Sequence, residues 1–241
     1  LKKILSNKLC LVSLIVLVIL ILFSIFGPMF TGYESDSIDL LNMLTGPSDT
    51  HLLGTDELGR DMFTRLAEGG RVSISVGLIA TLFKLCIGVL LGCIAGLYGG
   101  IVESVIMRIV DIIMCFPFFV IALCIAAITG PSFHNTIFII GILGWPGVCR
   151  IVRSQVLSLK NVEYVDAARS LGLNQMEIIF RHILPNASGP IIVYTTLSVA
   201  NAILMEASLS FLGLGIAMPQ SSWGTILSTA QNMQILQDCW W

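Results

Sequence analysis

Five long apolar stretches constrain the fold of this chain more than any other feature of its sequence. They lie at residues 9–26, 72–98, 105–129, 135–151 and 187–205, and each comes close to the roughly 20 residues that a helix needs to cross a bilayer. Lipid offers no hydrogen-bond partner to peptide groups, so such spans have to be helical. Only 12% of the residues are charged, about half the fraction found in soluble domains. The sequence therefore predicts an all-α polytopic membrane protein.

Basic residues orient the predicted spans, because positive charge marks the cytoplasmic side of a membrane protein. If consecutive spans cross the membrane in opposite directions, the following basic residues lie on one side of it: Lys2, Lys3, Lys8, Arg150, Arg153, Lys160, Arg169 and Arg181. We therefore expect residues 1–8 to be cytoplasmic, residues 9–30 to form the first transmembrane helix and residues 31–71 to be extracytoplasmic. Residues 72–241 would form the remaining transmembrane domain, with a cytoplasmic loop at 157–186.

The extracytoplasmic segment is predicted to contain a short interfacial helix. Thr55 is of a type that caps helix N-termini, and Asp56 after it would face the positive end of the helix dipole. Asp56 also stands four residues before Arg60, a spacing at which helical side chains pair. We expect a helix that starts after Thr55 and lies along the outer membrane surface.

A polar segment between the fourth and fifth spans has the pattern of a helix, a turn and a second helix. Ala167 and Ala168 lie in a run of helix-forming residues, and Gly172 follows where a helix would stop. A second amphipathic turn then leads to Pro185. We interpret the segment as a handle, held against the membrane face, that receives force from a soluble partner.

The second span combines a glycine seam with a charge. Gly88, Gly92 and Gly96 recur every four residues, so they share one helix face and let another backbone approach closely. Lys84 lies in the same span, where an ammonium group is costly unless it reaches water or a counter-charge. Two interpretations remain open for Lys84: a place on a translocation path, or the wall of an internal cavity.

Two other segments supply further candidates for a translocation path. Pro117 removes a backbone hydrogen bond from the third span and is expected to kink it, which suits a moving gate or a rigid bundle. Near the start of that span, Arg108 and Asp111 are expected to pair with each other. Glu206 opens a stretch of turn and apolar residues that we expect to shape the outer mouth. The path candidates are thus Lys84, Pro117 and Glu206.

The sequence lacks the motifs of bond-making chemistry. It contains neither a glycine-rich phosphate loop nor a His-Glu-x-x-His motif. Its three histidines, His51, His134 and His182, are far apart in the predicted topology, and its seven cysteines mostly sit in apolar runs as small hydrophobic side chains. We predict no catalytic residue, no cofactor site, no metal site and no nucleic-acid partner in this chain.

The polar segment resembles the cytoplasmic loop of binding-protein-dependent ABC importer permeases. That loop has the pattern Glu-Ala-Ala, three residues, Gly, nine residues, Ile-x-Leu-Pro, and its spacing is kept here by Asp166, Ala167, Ala168, Gly172, Leu184 and Pro185. Asp166 replaces the Glu and His182 replaces the Ile. With Asp166, Arg181 and His182 at these positions, the loop resembles that of the second permease subunit in the dipeptide, oligopeptide and nickel permease family. Residues 51–61, 107–111 with 116–117, 145–146 with 150–157, 206–215 and 222–224 also resemble that family in order.

The resemblance implies a type I ABC importer permease fold of six spans, five of them present here and the last helix missing. It also implies an ATPase-coupling loop formed by Glu163, Asp166, Ala167, Ala168, Gly172, Arg181, His182, Leu184 and Pro185. The expected partners in a bacterial plasma membrane are a homologous second permease subunit, two cytoplasmic ABC ATPases and an extracytoplasmic solute-binding protein. ATP and Mg would bind to the ATPases, whose closure would pull on the loop.

Several functions remain as alternatives. The first is ATP-driven import of dipeptides or oligopeptides, and nickel is the alternative cargo. A membrane-embedded enzyme would have to use Lys84, Asp111 or Glu206, which come from different depths and form no recognisable pair of nucleophile and base. A passive channel or scaffold would need no ATPase partner. Copurified ATPase subunits would distinguish the importer from both other classes.

Overall fold

The computed structural model of the chain describes residues 7–232, 235, 239 and 241. Lys2 and Lys3, which contributed to the predicted orientation, lie outside the described residues. The helices are α1 Lys8–Phe26, α2 Pro28–Thr31, α3 Met62–Tyr98, α4 Gly100–Cys115, α5 Phe118–Thr129, α6 Phe133–Leu159, α7 Glu163–Ser170, α8 Gln175–Ile178, α9 Leu184–Phe211 and α10 Trp223–Thr229. Leu40–Asn42 forms a 3-10 turn, and Ile179–Ile183 forms a π-helical turn between α8 and α9.

Within the part of the chain that the structure describes, four stretches of helix are long and apolar enough to cross a membrane. They are α1, α3, α6 and the run Gln175–Phe211, which contains α8, the π-helical turn and α9. Helices α4 and α5 pass the same test together, as a pair bent by 82°, and make a fifth span if they are counted as one. On that count the number of spans agrees with the five predicted from hydropathy. The first helix ends at Phe26 rather than at residue 30, because Pro28 has no N–H to continue it and instead begins α2.

The predicted kink at Pro117 is confirmed as a complete break. Phe116 has φ −96° and ψ 142°, and Pro117 has φ −58° and ψ 119°, so both residues leave the helical conformation. A proline ring disfavours the helical conformation of the residue before it. Helix α4 therefore ends at Cys115, and α5 begins at Phe118.

The predicted glycine seam is confirmed in the contact between α3 and α6. Each glycine faces one valine, in the pairs Gly88 with Val148, Gly92 with Val152 and Gly96 with Val156. A Cβ atom added at Gly92 would lie 2.7 Å from the Cβ of Val152, which is closer than real side chains approach. The residue numbers rise together along both helices, so α3 and α6 run in the same direction. The chain between them therefore crosses the membrane once if both helices span it.

The chain divides into two compact units. The first contains the chain up to Val76, residues Pro131–Phe133 and the chain from Glu206 onward. The second contains Gly77–Gly130 and His134–Met205. The glycine seam, the broken span and the polar loop thus all belong to the second unit.

In the first unit, the interfacial helix predicted after Thr55 is wrong. The chain forms a tight turn there, closed by a bridge between Thr55 and Asp61, and regular helix begins only at Met62. Asp61 caps that helix, since its carboxylate accepts a hydrogen bond from the N–H of Thr64 at 2.8 Å.

The side chain of Asp56 explains why the turn replaces the predicted helix. Its carboxylate accepts hydrogen bonds from the backbone N–H groups of Leu58 and Arg60, each at 2.9 Å. It also pairs with the Arg60 guanidinium at 2.7 Å and with Arg65 at 3.4 Å. The predicted pairing of Asp56 with Arg60 is therefore confirmed, although a turn rather than a helix creates it, because side chain to backbone bonds of this kind compete with helix formation.

Replacing Gly92 with alanine is expected to destabilise the protein. The new methyl group would lie 2.7 Å from the Cβ of Val152 and 2.8 Å from the carbonyl oxygen of Cys149, and such overpacking costs about 1–3 kcal/mol. Gly189→Ala is the matched control, because nothing lies within 4 Å of a Cβ added there. Thermal unfolding in detergent measures both variants. A Gly92→Ala protein as stable as the wild type would contradict the seam.

Candidate functional sites

The polar loop is a folded part of the second unit. Helix α7 buries Val165 and Ala168, which are 0% and 4% exposed, in one apolar cluster with Val152 and Val156 of α6. Leu173, after the end of α7, packs against the same cluster. Because these side chains form one close-packed core, a displacement of α7 has to move α6 or disrupt the cluster.

Gly172 terminates α7 in the way that its position predicts. Its N–H donates to the carbonyl of Arg169 at 2.9 Å, and the N–H of Leu173 donates to the carbonyl of Ala168 at 3.2 Å. These two bonds form a Schellman motif, which needs a left-handed residue at the glycine position. Gly172 has φ +84°, which glycine adopts at no steric cost. The predicted helix stop is confirmed.

The exposed side of the loop carries two short apolar rows. Tyr164, Ala167 and Leu171 follow one face of α7, and all three are exposed. Met176 and Phe180 form the second row and are 53% and 61% exposed. We call these five residues the outer face of the loop. Apolar side chains that protrude from a polar segment indicate a surface for another protein.

Charged side chains border this outer face. Glu163 and Arg181 are exposed, and the carboxylate of Asp166 pairs with the guanidinium of Arg169 at 3.0 Å. Exposed ion pairs contribute less than about 1 kcal/mol to stability. Charged side chains of a partner protein can therefore replace either member of this pair. Two alanines were predicted to belong to the ATPase-coupling loop. Ala168 is buried in the core, and Ala167 is exposed on the outer face.

The second half of the loop leads directly into α9. Asn174 and Glu177 form a capping box at the start of α8, in which each side chain accepts a bond from the backbone N–H of the other, at 2.9 and 3.2 Å. The π-helical turn follows, with His182 half-buried in it. Leu184 packs against the apolar cluster, and Pro185 is exposed at the start of α9.

A cavity of about 410 Å³ lies in the second unit, a size typical of ligand pockets. Lys84 lines it and is only 6% exposed, and its Nζ atom donates a hydrogen bond to the carbonyl of Ser198 at 3.1 Å. Tyr194 and Asn201 add polar groups to a wall that is otherwise mainly apolar. The sequence predicted that Lys84 would need water or a counter-charge, and the structure supplies a backbone carbonyl beside a cavity.

The other two path candidates differ in their surroundings. Pro117 breaks the third span next to the cavity, since both of its neighbours line the wall. Glu206 belongs to the first unit and is completely buried. Its carboxylate accepts hydrogen bonds from the hydroxyl groups of Ser73 and Ser210, each at 2.7 Å. Through these bonds Glu206 has a structural role, because it links α3 to the end of α9.

Two ion pairs between α4 and α6 were not predicted from the sequence. Asp111 pairs with Arg150 of α6, so the predicted pair of Asp111 with Arg108 is wrong. Glu103 pairs with Arg153 one turn further along α6. The partners are 39 and 50 residues apart, so no local spacing could have shown them. Both pairs fasten α4, the first half of the broken span, to α6.

Potential metal ligands are scattered in this chain. Within residues 7–232 and the three later positions that the structure describes, no three His, Cys, Asp or Glu side chains are grouped so that they could hold a metal ion. All seven cysteines are free thiols.

Comparison with known proteins gives a consistent set of relatives. Residues 88–236 match the family described as binding-protein-dependent transport system inner membrane component, and residues 1–47 match the N-terminal TM domain of oligopeptide transport permease C. The chain is 45% identical to the oligopeptide transport system permease protein OppC of Bacillus subtilis, over 92% of this chain and 73% of that protein. It is 43% identical to the dipeptide transport system permease protein DppC of Alkalihalophilus pseudofirmus, over 100% of this chain and 78% of that protein.

Solved structures include the same fold. A chain of the MetNI methionine ABC transporter in an inward-facing conformation matches with a TM-score of 0.57, over 73% of this chain and 91% of that chain. The sequence identity is 17%, so this similarity concerns the fold alone. It confirms the predicted all-helical ABC importer permease fold.

Substitutions on opposite faces of α7 are expected to have different effects on local stability. Val165→Ala removes two buried methyl groups, which costs about 2 kcal/mol and should speed amide hydrogen exchange in residues 163–174 by roughly 30-fold. Tyr164→Ala alters the outer face and should leave that exchange near the wild-type rate. Hydrogen exchange with mass spectrometry measures both. Equal exchange in the two variants would contradict the anchoring of α7 in the core.

Proposed function

The chain belongs to the family of binding-protein-dependent transport system inner membrane components, and from this premise we propose that it is the transmembrane permease subunit of an ATP-driven importer of oligopeptides or dipeptides. The family resemblance found in the sequence motifs is confirmed. The chain is therefore a multi-pass inner-membrane transport permease that is not itself catalytic and carries no cofactor. The alternative of a membrane-embedded enzyme is set aside.

The observation that carries the proposal is the two-sided structure of the polar loop. Its inner side, with Val165 and Ala168, is part of the core that contains α6, while its outer face is apolar and exposed. We assign the outer face, bordered by Glu163, Asp166 and Arg181, to an ATPase subunit. A partner that grips this face and moves can transmit a rigid-body displacement through α7 to the span helices. This arrangement supports alternating access driven by ATPases.

The partners follow from the family at a coarse level. A binding-protein-dependent ABC transporter works with an ATPase and a binding protein. In finer detail, we propose an assembly of this chain with a homologous second permease subunit, two cytoplasmic ATPases that hold ATP and Mg, and an extracytoplasmic solute-binding protein. The exposed apolar surfaces of spans such as α1, where Leu17 and Ile19 are 55% and 57% exposed, suit contact with lipid.

The proposed orientation places residues 1–8 and 157–186 in the cytoplasm. Helices α3 and α6 run in the same direction, so their C-terminal ends lie on the same side of the membrane. The two ends also touch, since Lys160 Nζ donates a hydrogen bond to the carbonyl of Gly96 at 3.1 Å. Lys160, Arg169 and Arg181 follow this end along the chain, which supports a cytoplasmic location by the positive-inside rule.

Two features favour peptides over nickel as the cargo. The relatives described above are named for oligopeptide and dipeptide transport. The cavity wall contains the ammonium group of Lys84, which repels a divalent cation, and the described residues offer no cluster of nickel-type ligands. Uptake of a labelled dipeptide and of labelled nickel by the reconstituted assembly distinguishes the cargoes. Nickel uptake without peptide uptake would overturn the assignment.

Copurification tests the proposal against a passive channel or scaffold. The chain is coexpressed with the second permease subunit and the ATPases of its proposed assembly and purified in mild detergent. We expect it to retain the ATPase subunits in a fixed ratio. ATP hydrolysis by this complex should rise when peptide-loaded binding protein is added. A chain that purifies alone and conducts solute without ATP would contradict the importer.

Substitution of Gly172 is expected to uncouple ATP hydrolysis from uptake. The residue has φ +84° with nothing within 4 Å of an added Cβ, so Gly172→Val meets backbone strain of about 1–2 kcal/mol rather than a clash. The strain should distort the turn after α7, and with it the exposed Leu171 of the outer face, while Val165 and Ala168 keep α7 in the folded core. Uptake and binding-protein-stimulated ATP hydrolysis in proteoliposomes measure the effect, and Gly189→Ala serves as control. Wild-type levels of both activities in Gly172→Val would refute the role of this turn.

A further inference from the structure

The cavity of the second unit carries the charge of Lys84 on its wall. Lys84 is the only charged residue among the described residues that line it, and no acidic side chain stands opposite. The ammonium group has three N–H donors. One of them is used by the carbonyl of Ser198, at 3.1 Å. A nearly buried cation with one neutral acceptor is poorly compensated, because burial removes water without supplying an opposite charge.

The rest of the cavity wall suits an organic anion. Asn201 and Tyr194 place an amide and a hydroxyl group on the wall, where both can donate hydrogen bonds to an oxygen anion. Phe116, Phe118 and Met205 supply apolar surface. A pocket with one cation, a few polar donors and an apolar remainder selects a ligand with one carboxylate and an attached apolar part.

We propose that Lys84 binds the terminal carboxylate of a peptide during its passage through the permease. This inference rests on the proposed peptide import and names the chemical group that the cavity recognises. The terminal carboxylate is common to peptides of every sequence, so one cation can serve a broad range of cargo. Transport also requires that the peptide is released again, so binding of the carboxylate has to be reversible.

The test compares two cargoes that differ only at the carboxylate. The complete assembly, with both permease subunits, the ATPases and the binding protein, is reconstituted in proteoliposomes. Uptake rates are measured for labelled trialanine with a free C-terminal carboxylate and for labelled trialanine amide. Each is used at a concentration that saturates the binding protein, set by prior titration, so that the ratio of the two rates reports the permease step.

Loss of the charge is expected to change this ratio. In Lys84→Met the ratio of free-acid uptake to amide uptake should fall about tenfold or more, the effect of losing a hydrogen-bonded charge. Lys84→Arg keeps a cation and should retain most of the preference. Gly189→Ala lies outside the cavity wall, with nothing within 4 Å of the added Cβ, and should keep the wild-type ratio. Lys84→Gln is a second neutral variant, and stimulated ATP hydrolysis confirms that each complex has assembled.

Other outcomes would overturn the assignment. A wild-type assembly that takes up both peptides at equal rates, or a Lys84→Met ratio equal to that of the wild type, would remove the carboxylate role. An equal loss of both peptides in the neutral variants would show that Lys84 acts only in packing. A wild-type assembly that imports neither peptide would overturn the proposed function, and the inference with it.

Discussion

The close contact between α3 and α6 is the feature on which the account of this protein depends. Three glycines on α3 let the two helices approach along Val148, Val152 and Val156. All three valines also belong to the cluster that holds Val165 and Ala168 of the loop. Van der Waals packing of this kind is the main source of helix association in lipid. It therefore stabilises the span pair and also makes the loop a rigid extension of it.

Local patterns in the sequence were sufficient for the features that depend on local physics. Glycines at every fourth position define one helix face whatever the fold, so Gly88, Gly92 and Gly96 predicted a close contact. Pro117 removes one helical hydrogen bond and disfavours the helical conformation of the residue before it, so a kink was predictable there. Gly172 marked the end of α7 for a similar reason. That the helix breaks completely at Pro117 was not predictable, since Pro146 and Pro190 lie within α6 and α9. Segment hydropathy likewise predicted the number of spans, since a helix in lipid has few alternatives.

Features that depend on tertiary partners were not predictable from the sequence. The segment after Thr55 has helix-start signals, but Asp56 is used by Leu58, Arg60 and Arg65 in a turn. Asp111 has an apparent partner three residues away, yet it pairs with Arg150 from α6. The same limit applies to the candidate sites. The sequence offered both Lys84 and Glu206 as candidates for a translocation path, but only the fold places Lys84 on a cavity wall and Glu206 between Ser73 and Ser210.

The central claim is that residues 163–186 lie in the cytoplasm, where a separate ATPase subunit can bind them. Side-specific labelling of Gln175→Cys tests this claim most directly. A membrane-impermeant maleimide is applied to intact cells and to inside-out vesicles, with the parent chain as background for its own cysteines. The account predicts labelling in the vesicles, reduced when the ATPases are bound, and none in intact cells. Labelling of Gln175→Cys from the external medium would contradict it.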